Sequence, residues 1–205
     1  ASGHRAGEDV FISLDIAANE LGDASGYSLA LDEGRLTSEA MAARIIEWAG
    51  RYPILSIEDP AGQDDWTAMA AVTAAIGDRV QIIGDDVLVT DAARVERAGD
   101  AAVCNAALIK VNQVGTVTEA KAALDAAVAR GWGAIVSARS GESEDVTIAH
   151  LATGWDAGQL KVGSFTRSER MAKWNEMLRI EEAMGADAEF AGFSAFAGSI
   201  GRVAA

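Results

Sequence analysis

The chain is poor in the residues that mark secreted scaffolds, zinc sites and nucleic-acid binders: one cysteine, two prolines and two histidines in 205 residues. A lone thiol, Cys104, cannot close an intramolecular disulfide, so nothing calls for an oxidising compartment. It lies in an apolar stretch and reads as a small core residue. His4 and His150 are too few, and too far from the other polar motifs, for a zinc site or a histidine-centred triad. No apolar run is long enough to cross a bilayer, and Ala1 to Glu8 lacks the apolar centre of a signal peptide. A cytoplasmic location without membrane partners is therefore expected. Basic residues are scarce too, 17 Lys and Arg against 31 Asp and Glu, for a net charge of -14. A duplex nucleic-acid binder needs the opposite balance to displace counterions from phosphates, so nucleic acid is not an expected partner. Small molecules, metal ions and other proteins remain.

What is present is a chain half of whose residues are hydrophobic, enough to bury a core of ordinary domain size. Short runs rich in Val, Ile and Ala alternate with longer stretches of helical period, the order of parallel βα units. Six runs read as strands: Val10 to Leu14, Pro53 to Ile57, Val80 to Gly84, Ala106 to Ile109, Ala134 to Ser137 and Ala157 to Leu160. Thr116 with Glu119 forms a capping box before the helix Lys121 to Arg130, and Thr166 with Glu169 a second before Ala172 to Met184. Gly99 and Gly131 read as helix ends. The five tryptophans, Trp48, Trp66, Trp132, Trp155 and Trp174, read as core packing.

Parallel strands with crossover helices leave an open doubly wound sheet or a closed (β/α)8 barrel. Charged residues choose between them. Asp15, Glu58, Asp85, Lys110 and Lys161 each follow a strand directly, and Arg139 follows the fifth strand after Ala138. Charge at the carboxyl end of every strand describes a ringed site, as in a TIM barrel, whereas an open sheet concentrates its site at one switch point. No glycine-rich phosphate turn is present, and Gly163, Gly198 and Gly201 fit no such pattern. The expectation is an α/β barrel with about six of its eight strands in these residues. The two absent strands belong before Ala1, since the Gly- and Ala-rich tail Gly185 to Ala205 resembles a natural terminus and the chain does not open on Met. A six-strand sheet leaves two free edges, so another polypeptide is expected to supply the rest.

Three carboxylates on neighbouring strand ends, Asp15, Glu58 and Asp85, offer hard oxygen ligands of the kind magnesium prefers. Asp86 reads as a support behind them or as a helix cap. Lys110 and Lys161 end apolar strands, where lost solvation can lower a lysine's pKa and let it serve as a base. The bland alternative is a buried salt bridge to one of the acids.

The segments VFISLDIAANE (10–20), SIEDPAGQDDW (56–66), IGDDVLVTD (83–91), LIKVNQVG (108–115), GWGAIVSARSGESED (131–145) and GQLKVGSFTRSERMAKWNEMLRIEE (158–182) together resemble the enolase family. The resemblance implies the glycolytic phosphopyruvate hydratase reaction, reversible loss of water from 2-phosphoglycerate to give phosphoenolpyruvate, with two Mg2+ ions. It implies Asp15, Glu58 and Asp85 as metal ligands and Lys110 as the base at carbon 2. Arg139 and Ser140 match the pair that holds the substrate phosphate, and Lys161 the lysine on the substrate carboxylate side. The family is commonly dimeric, so a homo-oligomer fits the resemblance.

Two departures qualify it. Ala138 stands where the family has a substrate-reaching histidine, and downstream its lysine, threonine, glycine, alanine pattern becomes Lys161, Val162, Gly163, Ser164. The family's general-acid glutamates lie before this region, and no acid here matches them. This chain alone is therefore expected to be inactive as a hydratase, because protonation of the leaving hydroxyl has no agent. The alternatives are a paralogue acting on another phosphorylated or phosphonylated acid, as in phosphonate or phosphinate natural-product synthesis, and a non-catalytic scaffold with an enolase barrel.

Overall fold

The computed structural model describes residues 2–23, 25–197 and 200. The elements run β1 (Ile12–Asp15), a short hairpin of β2 (Gly22–Asp23) and β3 (Gly26–Tyr27), α1 (Ser38–Arg51), β4 (Ile54–Glu58), α2 (Trp66–Ile76), β5 (Gln81–Gly84), α3 (Ala92–Asp100), β6 (Ala106–Ile109), α4 (Val111–Val114), α5 (Val117–Ala129), β7 (Gly133–Ser137), α6 (Thr147–Gly154), β8 (Gly158–Lys161) and α7 (Ser168–Met184). All six expected strands form. They make one parallel sheet in the order β1-β4-β5-β6-β7-β8, each joined to the next through a helical connection.

The sheet is curled. The Gln159 side chain on β8 bonds Gln81 on β5 at 3.0 Å, and Lys161 at the end of β8 reaches Asp15 at the end of β1 at 2.8 Å. Contacts between opposite edges require the strands to bend round a common interior, where a cavity of about 380 Å³ opens among Phe11, Gln81, Leu108, Ile135 and Lys161. The architecture is that of a TIM barrel represented by six strands. Strands β5, β6 and β7 are buried along their whole length, as parallel strands covered on both faces must be, while β1 is largely exposed and β8 half-buried. These two edges each pair with one neighbour only.

Helices pack outside the sheet, and their starts are fixed by local chemistry. The side chains of Thr37, Asp65, Asp91 and Thr116 accept the backbone N–H groups of Ala40, Ala68, Arg94 and Glu119, satisfying orphan donors at four helix starts. α1 then buries Met41, Ala42, Ile45 and Ala49, one stripe at helical spacing. At Thr116 the box differs in detail, since the hydroxyl also donates to the Glu119 carboxylate at 2.6 Å.

Other expectations need correction. The second capping box does not form: Thr166 lies outside α7, its N–H turned onto Ser164, and Glu169 pairs with Arg167 instead. Gly99 does not end a helix but sits in the last turn of α3, where a Cβ would run into the Arg130 guanidinium. Ala102 takes the left-handed position there, at φ 52°. Gly131 does follow a helix end, at φ 73°. Trp48, Trp66, Trp132 and Trp155 pack on the core, but Trp174 does not. It stacks on Phe165 at 5.3 Å and donates to the Ser164 carbonyl at 2.9 Å, bracing the segment after β8. The tail packs back on the sheet through Phe193 against Phe11 and the Ala195 carbonyl on Gln159; Gly198, Gly201 and the last residues lie outside the described residues.

Cys104 is buried, 2% exposed, and burial pushes its thiol above the usual range. The native protein at about pH 8 is expected to resist iodoacetamide, while the urea-unfolded chain is alkylated fully. Rapid labelling of the native state would contradict this burial.

Candidate functional site

Because the six strands are parallel, their carboxyl ends share one rim, and each brings one charged group there. Asp15 and Glu58 are paired across β1 and β4, and Ser137 is paired with Lys161 across β7 and β8. Asp85 and Lys110 follow β5 and β6 by one residue. Backbone bonds carry the ladder beyond the strands, from Ile16 N–H to the Glu58 carbonyl at 3.0 Å and from Ala138 N–H to the Lys161 carbonyl at 2.9 Å. The rim residues thus inherit the rigidity of the sheet.

The Lys161 ammonium lies 2.8 Å from Asp15 Oδ2 and 2.7 Å from Glu58 Oε2, bridging two of the three expected metal ligands. Lys110 contacts the third, donating from Nζ to Asp85 Oδ2. The Lys110 backbone N–H is held in turn by the Thr90 hydroxyl at 3.0 Å. Two ion-pair groups thus stand on the rim, Lys161 with Asp15 and Glu58, and Lys110 with Asp85, close enough for the Asp85 charge to act on Glu58.

Charge on this rim is crowded. Glu58 is 3% exposed, and burial pushes its carboxyl up to about 7, with Asp15 and Asp85 adding to the effect and Lys161 opposing it. The expected lowering of a strand-end lysine pKa does not hold at Lys161. Burial acts in that direction, but the Glu58 and Asp15 carboxylates outweigh it and hold the ammonium charged. Asp85 Oδ1 is buried and has no hydrogen-bond partner among the described residues. A buried carboxylate oxygen left unsatisfied is costly, and a cation is one group that would satisfy it.

Asp59 is a site residue that no pattern in the sequence marks. It is 4% exposed and accepts the N–H groups of Asp85 at 2.9 Å and Asp86 at 2.8 Å, one on each carboxylate oxygen. Burial pushes its carboxyl up to about 7. Asp59, Asp85 and Asp86 bring ligand atoms within 4.8 Å of one another, a group able to hold a metal ion. Since Asp59 is engaged by backbone amides, its geometry is that of a staple that fixes the turn carrying Asp85. Asp86 caps no helix, that part falling to Asp91; its carboxylate accepts from Asn19 at 2.7 Å and ties the segment after β1 to the turn. The donor set is wholly oxygen, which suits a hard divalent cation.

The other side of the rim is basic. Arg139 has no carboxylate partner among the described residues, and its guanidinium meets only Asn112 Oδ1, at 3.2 Å. Ser140 beside it is exposed. Between this pair and Lys161 lie Ala138, 7% exposed, and Val162, 3% exposed, which bring no polar side chain. Arg170 and Lys173 are likewise unmarked. They rise from α7 beneath the Arg139 segment, and a buried cation on a helix leaves no mark in the hydrophobic pattern except as a gap.

The curled sheet of parallel strands joined by helices agrees with the family comparison. Residues 1–198 match the family of the enolase C-terminal TIM barrel domain, and the chain belongs to that family.

Proposed function

We propose that the protein is a magnesium-dependent carbon–oxygen lyase of the enolase kind, removing water from 2-phosphoglycerate to give phosphoenolpyruvate. The observation that carries this reading is the convergence of Lys110 and Lys161 on the carboxylates of Asp15, Glu58 and Asp85 at one rim. Asp15, Glu58 and Asp85 would hold the cation, whose charge stabilises the extra negative charge that appears on the substrate carboxylate when carbon 2 loses its proton. Lys110 Nζ takes that proton, and the freed electron pair passes into the carboxylate. Arg139 and Ser140 hold the phosphate, a planar guanidinium being suited to paired hydrogen bonds with it. Lys161 contacts the carboxylate side. The pair then returns to form the carbon 2–carbon 3 double bond as hydroxide leaves carbon 3, protonated by an acid that the resemblance places outside these residues.

Ala138 and Val162 favour a second reading within the same chemistry. Both are buried and bring no polar group to places where the resemblance puts a substrate-reaching histidine and a threonine, and this supports a different phosphorylated or phosphonylated acid. A non-catalytic scaffold is disfavoured, since it has no need of two lysines crowded onto strand-end acids. The intact protein and its Ala138→His variant, assayed with Mg2+ for phosphoenolpyruvate formation, decide among them. Strong activity of the unmodified protein is expected from a hydratase, activity only after Ala138→His from a changed substrate, and none in either would sink the hydratase reading.

The free edges of β1 and β8 support completion of the barrel by two further strands from another polypeptide segment. Among the described residues no helix is long and apolar enough to cross a membrane, in keeping with a cytoplasmic enzyme, and a homo-oligomer is part of the same proposal.

A further inference from the structure

Two buried cations on α7 spend their donors on one irregular segment. Arg170 is 5% exposed and Lys173 fully buried. Arg170 donates from Nη1 to the carbonyls of Arg139 at 2.8 Å and Val162 at 2.9 Å, and from Nη2 to that of Ser140 at 2.9 Å. Lys173 donates from Nζ to the Ser143 carbonyl at 2.5 Å and pairs with Glu142 Oε2 at 2.7 Å. Glu142 closes the circuit, its Oε1 accepting the Arg139 N–H at 2.8 Å.

Residues 139–146, between β7 and α6, contain no helix or strand, and the sheet ladder ends at the Ala138 N–H. Burying a charge is costly unless it is paired and hydrogen-bonded, and here the hydrogen bonds of both cations go to this segment and to Val162 just after β8, with Glu169 of α7 itself 3.9 Å from Arg170 Nε. Arg139 is fixed at both backbone polar atoms, N–H on Glu142 and carbonyl on Arg170, while its guanidinium has no acidic partner among the described residues. The carbonyls of Arg139, Ser140 and Ser143 are held by α7, and carbonyl oxygens so engaged are kept from turning their negative ends toward an anion.

We infer that Arg170 and Lys173, with Glu142, are positioning residues that hold the 139–143 segment in the form that binds the substrate's anionic group. The inference rests on the reading of Arg139 and Ser140 as the anion contacts. Through the Val162 carbonyl, Arg170 also sets the distance from that segment to Lys161, so the two substrate-facing sides of the site share one brace.

The test measures binding of inorganic phosphate by calorimetry and of Mn2+ by electron spin resonance, on the intact protein and its variants. Arg170→Lys keeps the charge but cannot reach three carbonyls at once. The double exchange Lys173→Met with Glu142→Gln removes both charges together and leaves no buried charge unpaired. Each is expected to weaken phosphate by roughly 10- to 100-fold, since small misplacement of a contact is costly, with Mn2+ affinity unchanged. If Arg170→Lys fails to fold, the double exchange decides. Unaltered phosphate binding in a folded variant overturns the inference, as does a parallel loss of phosphate and Mn2+, which marks general destabilisation. Arg139→Met separates the two levels. If it leaves phosphate binding unchanged, the anion reading itself fails; if it weakens binding while the α7 variants do not, only the bracing does.

Discussion

Lys110→Met in the intact protein is expected to lower turnover about 10³-fold, the scale of a lost general base, and to stop exchange of the carbon 2 proton with deuterated solvent. Methionine keeps the apolar stem of a side chain that is only 13% exposed, so the fold should persist. Metal affinity should hold or rise, because a cation is removed from the side of Asp85. The exchange measurement is the decisive one. It reports proton abstraction alone, so a variant that turns over slowly yet exchanges at the normal rate would move the base elsewhere, with Lys161 the next to test.

Asp59→Ala is expected to cost about 2 to 4 kcal/mol of stability, because it leaves the buried N–H of Asp85 without an acceptor, at roughly 1 to 3 kcal/mol, and the half-buried N–H of Asp86 at the low end of that range. Asp59→Asn should lose about half as much, since one oxygen remains and the other position becomes a donor facing a donor. Urea unfolding midpoints give the comparison, provided the slopes agree. Mn2+ binding should weaken in the same order, because the backbone that aims Asp85 is no longer pinned. An alanine variant within about 0.5 kcal/mol of the parent would show that water replaces the carboxylate and that Asp59 is no staple. Asp59 adopts φ 40°, so the strain that a non-glycine residue bears there is consistent with a backbone held in place for what its side chain does.

Much of the fold was legible because parallel strands buried on both faces are apolar without interruption. That made β5, β6 and β7 plain as runs, and made the charge that comes just after each one conspicuous. The hairpin of β2 and β3 was not seen, since two-residue strands carry no alternation. Thr116 was found as a cap and Thr166 misread, although both precede a glutamate three residues on. At Thr166 the neighbouring Ser164 and Arg167 compete for the same partners, and a local motif cannot report which competitor wins.

By itself the sequence determined the class of fold, the order of the strands and which acids and lysines stand at their carboxyl ends, because those follow from period and from position relative to an apolar run. Tertiary structure alone decided which of these groups meet: that Lys161 bridges Asp15 and Glu58, that Asp59 staples the Asp85 turn, and that Arg170 and Lys173 brace the Arg139 segment from below. The physical reason is that a buried charge is stabilised by partners distant in the chain. Curling of the sheet and packing of α7 bring those partners together, and no local pattern of residues records that.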